Sequence, residues 1–414
     1  MKNRHFSGGV LLAAMALVTS ACTSVIAGTP RAPAVPPGPA VYVSQQVTPD
    51  APKTYEGVPT YDPCAILTLD LVRQAGYQLD PANEYHDEHF TADGNKGNPQ
   101  NLIGSPDPAG ACTVWPKNAG NWLSLQIDQL PYQDTDDRDT NTRINDPSYL
   151  GAKLVKDENR DGMRVVTSTL DRPNRYRVSY FLGDYWATLM IYADGADSLS
   201  KSPDEIVRFL TDQVGAKLRA GPAAAGQSGF AFQGAYAFVP TACSIYRGDD
   251  FPMSFNEPEI GHVDEVFQLG ERDLTADPAD AGQHLGPWHY TRSSCTRMNH
   301  AIVDLTGTQQ KLTVTLESYS DESGAAYSNN WNCGGDPKYK APYGAPVILR
   351  DKIGDGHVCF INMGGYNPDF EFKVGRHVVT ISSFNSATYQ NLDTASAVLQ
   401  KVSLEIAQRL TQYK

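Results

Sequence analysis

The residues able to do chemistry fall into three groups: carboxylates at calcium-loop spacing, histidines among acids, and seven cysteines. Asp157-Glu-Asn159-Arg-Asp161-Gly162 fits the opening of a D-x-[DN]-x-[DN]-G loop, in which alternate oxygens converge on calcium and glycine permits the sharp turn. The position that should supply a bidentate glutamate is Ser168, and a strand pattern follows where a helix should. A matching stretch, Asp351-Lys-Ile353-Gly-Asp355-Gly356, keeps the turn and puts isoleucine at a ligand position. Turn geometry therefore explains Asp157, Asn159 and Asp161 better than a metal does.

Tyr85-His86-Asp87-Glu88-His89 lines up further metal-capable side chains. On a helix His86 and His89 would share a face, but Pro81, Gly94, Gly97 and Pro99 around them argue for a solvated loop. The acidic run Asp134-Thr-Asp-Asp-Arg-Asp139 reads the same way. No G-x-S-x-G, S-x-x-K, H-E-x-x-H or P-loop occurs. That weighs against an enzyme without excluding one, because triads and carboxylate pairs are assembled in space. Trp288, Tyr290, Tyr339 and Tyr343 lie in Pro/Gly-rich stretches and read as half-buried loop anchors before they read as a ligand site. No cofactor is expected.

The odd cysteine belongs to the amino terminus. Lys2 and Arg4 precede an apolar, small-residue stretch from Gly8 to Ala21, too short to span a bilayer. It ends in Thr19-Ser20-Ala21-Cys22, small residues before a cysteine of the kind a lipoprotein signal peptidase accepts, with Thr19 where leucine is usual. Residues 1–21 are thus expected to be a lipoprotein signal peptide, and Cys22 the site of a diacylglyceryl group. Two or three acyl chains anchor stably where one does not. Cleavage leaves 32 basic against 47 acidic side chains, a charge of −15, so attachment would rest on the lipid. Residues 22–58 read as a Pro/Ala-rich tether, a semi-rigid spacer reaching up to ~100 Å.

The elements that must position these residues occur twice. The chain has 414 residues, with 41% hydrophobic and 20% charged, which fits a soluble globular protein of two or three domains. A net charge of −13 argues against nucleic acid as a partner. Cys64 and Cys112 are followed by Cys243 and Cys295 at offsets of 179 and 183. The alternating run Trp122–Leu130 recurs as Lys311–Tyr319, and both read as half-buried strands. Leu154–Met163 and Ile348–His357 each place Asp-Gly between apolar runs, the composition of a hairpin turn. Ser202-Pro203-Asp204-Glu205 is a capping box opening a helix with Ile206, Leu210, Val214 and Leu218 on one face, echoed by Val398, Leu399, Val402, Ile406 and Leu410. The expected fold class is α+β. It comprises two related, disulfide-stapled domains, 59–220 and 230–414, joined by a linker at 221–229. In each, an antiparallel sheet is packed by a long C-terminal helix.

Tyr61-Asp-Pro-Cys64-Ala-Ile-Leu-Thr68, with Cys112-Thr-Val-Trp115 some fifty residues on, resembles the signature of an actinobacterial secreted-lipoprotein family classified only as a domain of unknown function. The resemblance implies a lipobox, a tether and a D-P-C-x-L-L-T start, and no reaction. The second copy departs from it, with Val239-Pro-Thr-Ala-Cys243 lacking Asp-Pro.

With Cys22 assigned to lipid, six cysteines remain in an exported chain, where disulfides are the default. The repeat selects Cys64–Cys112 and Cys243–Cys295, leaving Cys333–Cys359. No C-x-x-C or Cys/His spacing suits zinc.

These observations imply a non-enzymatic binding or scaffold lipoprotein on the extracytoplasmic face of the cell membrane, meeting an envelope protein or cell-wall component. The alternatives are an envelope hydrolase or glycan-modifying enzyme with an interdomain site, and a carrier of lipid or another small molecule. Replacing Cys22 with Ala is expected to block lipid transfer and release the protein. Unchanged partitioning into the detergent phase would refute that assignment.

Overall fold

The computed structural model describes residues 43–413, apart from 56–57, 80–84, 93–108, 117–120, 130–151, 184, 195–198, 260–261, 273–287, 300–309, 335–345, 351, 362–368 and 385–391. The chain enters as β1 (Val43–Thr48) and the short strands β2 (Thr54–Tyr55) and β3 (Val58–Pro59). Two short helices follow, α1 (Pro63–Ile66) and α2 (Leu69–Ala75). The first copy's strands are β4 (Tyr85–Ala92), β5 (Ala109–Val114), β6 (Asn121–Gln129), β7 (Lys153–Arg160), β8 (Met163–Thr169), β9 (Arg175–Leu182) and β10 (Tyr185–Ala193). The long helix α3 (Pro203–Ala220) closes it.

The second copy repeats the plan. A turn of helix, α4 (Pro222–Ala225), and β11 (Gln227–Phe232) lead to the short helices α5 (Ala242–Ile245) and α6 (Phe251–Phe255). Its first strands are β12 (His262–Arg272), β13 (Trp288–Met298) and β14 (Lys311–Tyr319), followed by a helix without counterpart among the described residues, α7 (Glu322–Cys333). Then come β15 (Val347–Ile348), β16 (Cys359–Ile361), β17 (Asp369–Val374), β18 (His377–Phe384) and the closing helix α8 (Leu392–Leu410).

The main sheet runs β15-β16-β17-β18-β14-β13-β12-β4-β5-β6-β10-β9-β8-β7. Read outward from its middle, the two halves have the same order. They meet where β12 pairs antiparallel with β4 over seven residue pairs, His262 with Ala92 through Gln268 with His86. The two expected domains are therefore two copies of one topology fused into a single sheet. Each copy's first strand would otherwise be an exposed edge with unpaired N–H and C=O groups, so pairing the edges satisfies both.

The same pairing corrects the reading of His86 and His89, which lie on β4 and not in a loop. Neighbouring Pro and Gly set the ends of the element, but the partner strand supplies the ladder that makes it a strand. Three residues apart in a strand is an odd step, so the helical face-sharing that would have brought the two histidines together does not arise.

The outer part of the expected tether and the linker are also part of the fold. β1 pairs antiparallel with β11 from Val43–Phe232 to Thr48–Gln227. Residues 43–58 thus leave the tether, and 221–229 is helix and strand. Asp62 of the D-P-C motif is the reason on one side: one carboxylate oxygen caps α1 by accepting from Ala65 N at 2.9 Å, and the other accepts from Ser228 N at 2.6 Å. Gln45 on β1 donates to Cys64 O and accepts from Leu69 N, both at 2.7 Å. Phe232 then stacks on Phe267 of β12 at 5.2 Å. Gly226 is required where this ribbon starts: its φ is +80°, and a Cβ there would stand 2.7 Å from Thr48 O.

Within each copy the local rules hold. Leu123, Leu125 and Ile127 alternate inward on β6, as do Leu312, Val314 and Leu316 on β14. Ser202 and Glu205 form the reciprocal capping box with Pro203 at the first helical position. Ile206, Leu210, Val214 and Leu218 of α3 are buried, and Leu399, Val402, Ile406 and Leu410 of α8 take the same role. Disulfides join Cys64–Cys112, Cys243–Cys295 and Cys333–Cys359. The first two each tie a copy's opening helix to its second strand, and the third ties the end of α7 to β16. Each contributes roughly 3–4 kcal/mol in the chain-entropy view. Three disulfides are consistent with an oxidising, extracytoplasmic compartment.

The Asp-Gly turns diverge. Asp161 (φ 52°) and Gly162 form the tight β7–β8 turn, with Gly162 N donating to Asn159 Oδ1. In the second copy ten residues separate β15 from β16, so Asp355-Gly356 is not a hairpin turn. Asp355 instead accepts from Gly375 N and pairs with Lys373 on β17, and Ile353 is buried in the core.

The closing helices grip their copies by related contacts of unequal cost. Lys217 Nζ donates to the carbonyls of Ala65 and Ile66 at 2.8 and 3.1 Å. At the matching place Arg409 donates to Ile245 O and makes a two-pronged pair with Asp250, which is fully buried. Arg409→Met, which leaves a buried carboxylate without its cation, is expected to cost about 3–5 kcal/mol in urea unfolding. Lys217→Met should cost about 1–2 kcal/mol, since it strips only hydrogen bonds from carbonyls. Equal losses would contradict this account.

Candidate functional site

Each copy packs its long helix on one sheet face and turns the opposite, outer face away. The two outer faces are finished differently. In the second copy α7 lies across β14, β16, β17 and β18, with Trp288, Tyr319, Ala325 and Val378 forming a closed cluster beneath it. Gly324 makes the close approach possible, because a Cβ there would stand 2.8 Å from Tyr319 Cδ1. Asn329 and Asn332 donate to the two carboxylate oxygens of buried Glu371 at 3.1 and 2.6 Å, and the Cys333–Cys359 bridge fixes the helix end. Trp288 is buried, Tyr290 packs 5.6 Å from Tyr319, and both finish this cluster. Tyr339 and Tyr343 lie outside the described residues.

In the first copy no helix among the described residues crosses the outer face. The place in the chain that corresponds to α7, residues 130–151 with the acidic run Asp134–Asp139, lies outside those described. On β10 the inward residues Ala187, Leu189, Ile191 and Ala193 are buried, so Trp186, Thr188, Met190 and Tyr192 point outward and are half-buried. Trp122 on β6 stacks on Tyr192 at 4.5 Å, and Arg175 on β9 lies over the same ring at 4.4 Å. Arg177, opposite Met190, reaches along the face to 5.9 Å from the Trp186 ring, and Arg164 on β8 lies 5.6 Å from Phe181.

The three guanidinium groups differ in their partners. Arg164 pairs with Asp157 at 2.8 Å and Arg175 with Asp194 at 2.5 Å. Among the described residues Arg177 has no acidic partner and its buried Nε has no hydrogen-bond acceptor. Desolvation lowers its pKa accordingly, without bringing the group near neutrality. Trp186 Nε1 is likewise buried without an acceptor. Across β10 from Arg177, the Asp128 carboxyl sits opposite Trp186, its pKa raised by burial against a smaller lowering by Gln126. Among the described residues the face thus holds a cation, Arg177, without an ion-pair partner beside aromatic rings. Such a surface can take an acid group by charge-assisted hydrogen bonds and a flat apolar group by stacking.

Other candidates resolve into structure. The Asp157 carboxylate is held below the usual range by its hydrogen bonds from Arg164, Asn159 closes the turn, and Asp161 is exposed. Among the described residues no three His, Cys, Asp or Glu side chains gather as a metal would require. His86 and His89 are placed by backbone alone, on β4. Ser318 and His377 face each other across β14 and β18 with Oγ to Nδ1 at 2.7 Å, the spacing of a nucleophile and its base. Both are fully buried, and His377 Nε2 donates to Tyr413 O at 3.3 Å, so the hydroxyl has no route to a substrate.

No protein-family model, curated protein or solved structure matches the chain.

Sequence patterns alone do not single out Arg177 and Trp186. Each sits in a strand rich in aromatic and apolar residues on both faces, and only the β9–β10 register makes them neighbours. Alternation along Tyr185–Ala193 is the one signal that could have marked the outward side.

Burial pushes the His377 imidazole down to about 4. An unfolded histidine titrates near 6.5. Stability is therefore complete above about pH 6.5 and falls as the pH drops toward 4, by ~3 kcal/mol, because only the unfolded chain takes up the proton. Thermal melting across that range should show the loss in the wild type and a flatter profile in His377→Gln. Identical profiles would assign the acid sensitivity elsewhere.

Proposed function

We propose that this is a lipoprotein of the extracytoplasmic face of the cell membrane whose work is to bind a partner in the envelope, not to transform one. The observation that carries the reading is the contrast between the outer faces: the second copy closes its own with α7, and the first presents an unpaired guanidinium among half-buried rings. The disulfides support an exported chain, and no helix among the described residues is long and apolar enough to cross a membrane. Attachment is through a diacylglyceryl group on Cys22, the reading that Thr19-Ser20-Ala21-Cys22 supports. The resemblance of the D-P-C start to the actinobacterial secreted-lipoprotein family fits this assignment. β1 takes Val43–Thr48 of the expected tether into the fold. The sheet, joined through β4–β12, supplies the platform for binding.

Crosslinking and recovery of the full lipidated chain from its native membrane should capture an envelope component. Thr188→Glu, which plants a charge in the middle of the outer face, should abolish capture, and Leu404→Glu on the exposed side of α8 should leave it intact. Recovery of no partner, together with turnover of a wall polymer by the purified protein, would defeat the reading.

A further inference from the structure

We infer that the outer face of the first copy binds an acidic glycan, with Arg177 taking the acid group and Trp186 and Tyr192 supporting sugar rings. This rests on the binding role proposed above and names its ligand class. Three features of the face carry the inference.

The first is the cation. Arg177 is the arginine of this face with no carboxylate partner, and its Nε is removed from water with no acceptor in place. A guanidinium with no ion-pair partner among the described residues offers a carboxylate or phosphate oxygen the planar fork of arginine. The second is the spacing of the rings. Trp186 and Tyr192 lie six residues apart on one strand, so the platforms stand about 20 Å from each other. Arg177 comes from the neighbouring strand, opposite Met190 and directed to the Trp186 ring. A chain of sugar rings can span both platforms and place an acid between them, whereas a single small anion would use only one end.

The third is the floor between the rings, where half-buried Thr188 lies on the outward side of β10. A pyranose has an apolar C–H face that suits an indole or phenol ring and a rim of hydroxyls that suits such a floor. The second copy shows what this sheet offers to a protein segment instead: Tyr319, Trp288 and Val378 contiguous and fully closed by α7. The first copy's rings are separated on β10 by Thr188 and Met190 and do not form such a ridge.

The test is calorimetric titration of the full mature chain with a short oligogalacturonate, with the same oligomer as its methyl ester, and with a mannose-phosphate oligosaccharide. At least one acidic oligomer should bind, and the galacturonate and phosphate arms then identify the acid. The methyl ester should bind at least about tenfold more weakly than the free acid if carboxylate is that group. Arg177→Gln and Trp186→Leu should each weaken binding about tenfold or more, with Arg177→Lys between wild type and Gln because it keeps charge and loses the fork. Thermal melting of the variants reports their folding, and the lysine variant keeps the test open if the glutamine variant does not fold. Failure of both acidic oligomers to bind, or binding unchanged in Arg177→Gln, would overturn the inference. If neither binds while capture sensitive to Thr188→Glu persists, the ligand class falls and the binding role stands.

Discussion

The rest of the structure depends on the antiparallel pairing of β4 with β12. Each copy begins its sheet with a strand whose outer edge would otherwise present unpaired backbone groups. Joining edge to edge satisfies both rows at once and makes two repeats into one platform. The same antiparallel logic recurs at small scale in β1 and β11, the segments that precede the two copies. They pair with each other, are held to the first copy by Asp62 and Gln45, and stack on the second through Phe232 and Phe267.

Two copies fused into one sheet need not share a function, and among the described residues they differ in how the outer face is finished. In the second copy α7 crosses it, its asparagines satisfying a buried glutamate and its end bridged to β16. This converts an outer face into a core. The outer face of the first copy carries arginines of β8 and β9 beside aromatic rings, two of them paired with neighbouring aspartates and the third with none among the described residues.

Much of this architecture was legible from local chemistry. The capping box at Ser202, the alternation in Trp122–Leu130 and Lys311–Tyr319, and the spacing of the cysteines each depend on residues close in sequence or on an exact repeat. The structure has the helices, strands and bridges at those places. What was misread followed from long-range pairing. Residues 43–58 and 221–229 have the composition of a spacer and a linker, but each offers a backbone ladder to the other. His86 and His89 have loop-like neighbours, yet a partner strand some 175 residues away makes them part of a sheet. α7 was not foreseen because its packing face is made of small and polar residues, Gly324, Ala325, Ser328 and Asn329, and not of an apolar stripe.

By itself the sequence determined the repeat, the signal-like amino terminus, the α+β class and the choice of bridges, because periodicity, caps and cysteine spacing act over short or repeated distances. Only the tertiary structure decided that the copies share one sheet, that Ser318 and His377 are sealed, and that Arg177 stands beside Trp186 without an acid to neutralise it. Those outcomes depend on strand order and register, which set neighbours across the sheet, and no local pattern encodes them.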